Sequence, residues 1–263
     1  LKTLQRTAVR PEAGGEPLPP VFRVFQNNNI IFRRGEVNLI AAAPGAGKSS
    51  LALAIAVRLN VPTLYISADT NAHTMAMRVG AMVGGFTQSQ AEYMMQAQPE
   101  QFGEILASNS HLFWSFDSTP TLKDLDDEVA AFETQWGTSP TLIIVDNLMD
   151  IAMDGHEEFA GMRAVMKELK YLARDTNAAL LVLHHTKESF SGNPCQPRSA
   201  IQGMVNQLPA MICTVAQEQI GDDNYLCVAP VKNRYGKADP SGNTYMRLLF
   251  HPESMQIMDV PTQ

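Results

Sequence analysis

Ala42-Ala43-Pro44-Gly45-Ala46-Gly47-Lys48-Ser49 decides the fold. The octapeptide follows a short apolar run, residues 37–41, and opens a stretch, residues 49–59, whose apolar side chains recur at helical spacing. A glycine-rich turn between strand and helix lines up backbone N–H groups at the positive end of the helix dipole, and such a nest holds phosphate. Against the pattern G-x-x-x-x-G-K-[ST] only the first position departs, with Ala42 in place of glycine. Backbone N–H groups make the cradle, so the change is tolerated if Ala42 keeps an ordinary backbone conformation. Ala43, Pro44, Gly45, Ala46, Gly47, Lys48, Ser49 and Ser50 are then expected to hold the phosphates of ATP. Lys48 would reach the terminal phosphates, and the Ser49 hydroxyl would bind the Mg2+ that neutralises them. A turn that merely starts a helix is the competing reading, and the strand-loop-helix setting weighs against it.

Outward from the loop the same rhythm repeats. Residues 37–41, 63–67, 111–116, 141–146 and 178–184 are short runs rich in Leu, Ile and Val, as strands of a doubly covered parallel sheet are. Between them, residues 49–59, 72–83, 122–136 and 157–174 carry helical spacing. Met162, Val165, Met166, Leu169, Leu172 and Ala173 form the clearest stripe, and a helix covering a sheet needs one. After Gly203 the pattern turns β-rich, with turn signals separating residues 210–216, 225–232, 245–250 and 255–260. An α/β fold is predicted: a mostly parallel twisted sheet flanked by helices and finished by C-terminal antiparallel hairpins. Residues 10–20 combine helix breakers with little apolar content. We therefore expect a flexible tail or linker over 1–20 and a single domain over 21–263.

At 263 residues and 45% apolar content the chain can bury one large core. Its net charge of -7 opposes any general attraction to polyanions, so a nucleic-acid contact must come from a local basic patch. Cys195, Cys213 and Cys227 are odd in number and lack metal-ligand spacing, which disfavours a disulfide framework and a zinc site alike. Free thiols in a reducing compartment follow. No apolar run is long enough to span a bilayer, and the first residues lack a charged head followed by an apolar stretch. The expectation is a cytoplasmic protein with no membrane partner.

Strand ends point to the chemistry. Residues 141–146 end in Asp146, and the carboxyl ends of parallel strands face the ligand crevice, so Asp146 is expected to organise Mg2+ directly or through water. Asp69 follows a second strand and is the candidate to activate the attacking water; capping the helix that begins near Ala72 competes with that role. A third strand ends in His184-His185-Thr186-Lys187. Adjacent histidines on a strand point to opposite faces, which argues against a shared metal. One of them would instead hydrogen-bond the γ-phosphate or its water.

With the phosphate loop, Asp69, Asp146 and the His-His strand in this order, the chain resembles the RecA-like ATPase domain of DnaB-type replicative helicases and their plasmid RepA-like relatives. The resemblance covers nearly everything from Val21 onward. That family carries Ser-x-Glu after its second strand, with the Glu as catalytic base; Ser67-Ala68-Asp69 matches with a shorter acid. The γ-phosphate sensor of the family corresponds to His185. Lys232-Asn233-Arg234-Tyr235-Gly236 looks like the family's K-x-R-x-G element, which reaches into the neighbouring subunit's ATP site. The resemblance thus implies that Arg234 is an arginine finger in trans with Lys232 as its companion. It also implies single-stranded DNA in a central pore, met by the loop over 187–202 through Lys187, Arg198, Ser199 and Gln202.

A head-to-tail hexameric ring is the implied assembly, with a replication loader or primase as further partner. The helical N-terminal domain that precedes the ATPase in DnaB proteins has no counterpart in the residues before Val21, implying a stand-alone or RepA-like arrangement. Two other functions fit the same residues: a RecA-like recombination mediator forming filaments, and a KaiC-like ATP-gated regulatory module.

Overall fold

The computed structural model describes residues 15–152, 158–187 and 193–261. Through these the chain runs α1 (Arg23–Asn27), β1 (Val37–Ala42), α2 (Lys48–Leu59), β2 (Thr63–Ser67), α3 (Ala72–Gly84), α4 (Gln88–Ala97), α5 (Pro99–Ala107), β3 (Leu112–Ser115), α6 (Leu122–Trp136), β4 (Leu142–Asp146), α7 (Glu158–Thr176), β5 (Ala179–His185), β6 (Met211–Ile220), β7 (Asp223–Asn233), β8 (Met246–His251) and β9 (Gln256–Asp259). The strands form one sheet in the order β3-β2-β4-β5-β1-β6-β7-β8-β9. From β3 to β6 every pairing is parallel. The remaining pairings are antiparallel. This is the mixed α/β fold expected, mostly parallel at its centre with antiparallel strands at the C-terminus.

The parallel strands are apolar throughout because both faces are covered. Alternate residues of β1 enter different cores: Ile40 packs with Leu51 and Ile55 of α2, and Leu39 packs with Val129 of α6 and Leu169 of α7. The methionine stripe of α7 is buried in the second of these cores, with Met162 and Met166 inaccessible. The start expected at residue 157 lies outside the described residues. All three cysteines are buried free thiols. Among the described residues no helix is long and apolar enough to cross a membrane.

Three features depart from the sequence reading. The helices α4 and α5 were not foreseen. They pack chiefly on α3 through Ala81, Ala91 and Phe102 rather than on the sheet, and so carry no broad apolar stripe. Their local signals lie at the ends, in the Thr87–Gln90 capping box and in Pro99 at the first turn. The hairpin of β6 and β7 is longer than its apolar runs, since the polar Gln217, Glu218 and Gln219 still pair with Leu226, Tyr225 and Asn224. Finally, the segment expected as a tail is tied down at its C-terminal end. Pro17 bridges Arg33, the Leu18 N–H donates to the Phe32 carbonyl at 2.8 Å, and Leu18 is only 6% exposed. Residues 1–14 lie outside the described residues.

Candidate active site

At the C-terminal edge of the sheet, strand register brings the sequence-predicted groups together. Ala42 lies beside His185, and Ser67 beside Asp146. Ala42 is the last residue of β1 in ordinary strand conformation, so alanine at the first position of the motif costs the loop nothing. Gly45 and Gly47 take positive φ, 74° and 90°, where a side chain is strained. A Cβ on Gly47 would also lie 2.7 Å from Leu226 Cδ1. From the hairpin, Gln217 Nε2 donates to the Gly45 carbonyl at 3.1 Å. Gln217 and Leu226 thus wall the loop from more than 160 residues away in sequence, and no local motif marks either.

Asp146 is 1% exposed. Its Oδ2 accepts a hydrogen bond from the Tyr65 hydroxyl at 3.1 Å, while Oδ1 has no partner among the described residues. Burial pushes this carboxyl up from the usual range, against the pull of Ser49, Lys48 and Tyr65. Asp150, on a short turn after β4, is likewise raised by burial; Asp69 adds to that rise, while His185 and Lys48 oppose it. His185 is half-buried and held below the ordinary histidine value by burial and then by Lys48, with Asp150 and Asp69 acting the other way. Lys48, Asp69, Asp146, Asp150 and His185 therefore share one electrostatic neighbourhood. Asp69 itself is exposed, at the rim. Asp150 and Tyr65 are members that the sequence reading missed.

His184 takes a different course. It is wholly buried, its Nε2–H donates to the Gln202 carbonyl at 3.1 Å, and burial lowers its pKa to about 4, so the ring is neutral. The chemistry of the donor set fits a nucleotide with one divalent cation: a phosphate cradle that a Cβ would fill, a buried carboxylate oxygen without a partner, and the Ser49 hydroxyl. Among the described residues no three His, Cys, Asp or Glu side chains form a metal cage of their own. A hard cation completed by phosphate oxygens and water needs none.

Lys232 and Arg234 lie at the opposite edge. Asn233 pairs with Met211, and Met211 pairs with Asn38 near the start of β1, whereas the phosphate loop leaves from the far end of that strand. The four residue steps of β1 from Asn38 to Ala42 separate the two levels by about 13 Å. Lys232 Nζ donates to the carbonyls of Asn206 and Gln207 at 3.2 and 2.7 Å. Burial lowers its pKa to about 8, helped by Arg234, Arg198 and Lys170. Arg234 is 42% exposed, with Nη2 3.5 Å from the Leu208 carbonyl and Nη1 3.9 Å from Glu36 Oε2.

The loop after β5 is tied back to the strand it leaves. Thr186 bridges Ile201, the Lys187 N–H donates to the Ala200 carbonyl at 3.0 Å, and Gln202 Nε2 donates to the Thr186 carbonyl at 3.2 Å. Lys187, Arg198 and Ser199 are exposed, whereas Gln202 is half-buried and engaged with backbone. Residues 188–192 lie outside the described residues. Beyond Gln202, Gly203 and Met204 both take positive φ, 70° and 52°, and Met204 is 67% exposed.

Comparison with known proteins bears on the fold and the family. A family model described as AAA domain matches residues 2–189. The Gene 65 protein of Mycobacterium phage L5 is 34% identical over 256 residues, covering 94% of each chain. The structure of a DnaB-like replicative helicase, reported with its interactions with primase, superposes with a TM-score of 0.79 at 14% identity, over 93% of this chain and 63% of the other. A second solved structure, an isolated ATPase domain, gives the same TM-score at 14% identity, over 93% and 91%. The chain thus spans less than two thirds of the replicative helicase but nearly all of the isolated ATPase domain. These likenesses give it the RecA-like fold of helicase ATPase domains, and the chain belongs to the AAA domain family.

Proposed function

We propose that the protein is a ring-forming, DnaB-type ATP-dependent DNA helicase or translocase, with residues 21–263 as its motor and single-stranded DNA in a central pore. ATP is its substrate and Mg2+ its cofactor, which neutralises phosphate charge when bound. Lys48 and the loop amides position the phosphates, Ser49 and Asp146 hold the cation, Asp69 takes the proton of the attacking water, and His185 senses the γ-phosphate. The observation that carries the reading is the separation of Arg234 from its own phosphate loop by the length of β1. An arginine placed there serves as a finger only for the next subunit, which requires head-to-tail assembly. The bonds joining β5 to the loop over 187–202 give a path from His185 to Arg198 and Ser199, so that phosphate loss at one interface shifts DNA contacts.

The test is steady-state ATP hydrolysis by wild type and Arg234→Ala, with and without single-stranded DNA, over a range of protein concentrations. Turnover should rise with concentration and DNA, and Arg234→Ala should lose it by about a thousandfold while still binding ATP. Turnover indifferent to DNA and to Arg234 would sink the helicase reading and favour the KaiC-like regulatory module. A DNA-stimulated filament that displaces no strand from a forked duplex would favour the recombination mediator.

A further inference from the structure

Among the described residues Tyr65 is the largest fully buried side chain, and its hydroxyl has one acceptor there, Asp146 Oδ2, on the neighbouring strand. In the β2–β4 register Asp146 stands opposite Ser67, so Tyr65 reaches diagonally toward the C-terminal edge to make the bond. Its ring has little freedom to leave. Trp114 on β3 packs against it with centroids 4.8 Å apart, and Phe116 stacks on Trp114 at 5.9 Å and 7°. Phenylalanine would fill the same apolar space, so the hydroxyl has only the carboxylate to serve. One oxygen of Asp146 is thereby engaged and the other is left without a partner among the described residues, in a carboxyl that also feels Ser49 and Lys48.

We infer that Tyr65 is a positioning residue for the divalent-cation site: its hydroxyl locks the Asp146 side chain so that Oδ1 is presented to the cation or to a water bound on it. Tyr65 is fully buried and acts through Asp146 alone. A hydrogen bond of this kind fixes the orientation of a ligating group that would otherwise have to be ordered each time the cation binds. The inference rests on Asp146 organising the cation.

Tyr65→Phe keeps the aromatic column and deletes one oxygen. Manganese binding to the ADP complex, followed by electron paramagnetic resonance, should weaken about tenfold. ADP affinity without any divalent cation should stay within about twofold, since the phosphate loop is untouched. A merely structural tyrosine would lower the melting temperature and leave manganese affinity where it was, and that result overturns the inference. Asp146→Asn separates the two readings. If it weakens manganese binding while Tyr65→Phe does not, the Tyr65 inference alone falls; if neither weakens it, the role of Asp146 falls as well.

Discussion

At the scale of single residues, Gly45 and Gly47 belong to the same motif yet answer to different constraints. Both need positive φ, which costs an L side chain about 1–2 kcal/mol. A Cβ on Gly45 meets nothing within 4 Å, whereas one on Gly47 runs into Leu226 Cδ1 at 2.7 Å and Gln217 Nε2 at 3.3 Å. Gly47→Ala should therefore be the harsher change, lowering the melting temperature by more degrees than Gly45→Ala and weakening binding of a fluorescent ATP analogue by at least about tenfold. Melting curves and nucleotide titrations of the two variants side by side decide it. Equal effects would mean that the hairpin does not constrain the loop. The glycines, Lys48 and Ser49 were legible in the sequence because a phosphate cradle demands those residue types at fixed spacing, and Asp146 because it ends an apolar strand at the carboxyl edge of the sheet. Gln217, Leu226 and Tyr65 were not, because their relation to the loop exists only once distant strands have paired.

At the scale of elements, the parallel strands were legible because burial on both faces leaves an unbroken apolar run, while α4 and α5 were hidden because their partner is another helix. The segment after β5 was legible only as a polar loop, and its backbone carries more than that. Residues 202–207 form a kinked turn whose first residue is bonded to His184 and Thr186, and whose last carbonyls accept from Lys232. One short piece of chain thus joins the end of β5 to Lys232 on β7. The kink depends on Gly203 and on Met204, a non-glycine residue at φ 52°. Gly203→Val should oppose it and uncouple the ends, reducing DNA stimulation of ATP turnover about tenfold while DNA-free turnover stays within about threefold. Met204→Gly relieves strain and should preserve stimulation with a slightly higher melting temperature. If Gly203→Val is stimulated by DNA as wild type is, the kink has no part in coupling.

At the scale of the whole molecule, the sheet register has a consequence for assembly. Each copy carries its phosphate loop at one end of β1 and Arg234 at the other, so two inactivating changes sit on two opposed faces. Lys48→Ala spoils the first face and leaves the second intact, and Arg234→Ala does the reverse. A finger acting in trans makes these defects complementary: where a Lys48→Ala copy presents its arginine to the loop of an Arg234→Ala copy, that interface has every group it needs. Either variant alone should be inactive in ATP hydrolysis, and an equimolar mixture assembled at random should recover about a quarter of the wild-type interfaces. Recovery should grow with total protein concentration, because it requires contact between different copies. Arginine acting on its own subunit's nucleotide would leave the mixture as inactive as its components, since no copy in it has both groups. Lys232→Ala mixed with Lys48→Ala refines the result. Its Nζ is held by the Asn206 and Gln207 carbonyls, beside the Leu208 carbonyl that Arg234 Nη2 approaches, so if losing Lys232 displaces Arg234 this mixture should recover activity as the first does, and no recovery would mean that Lys232 does not act through Arg234.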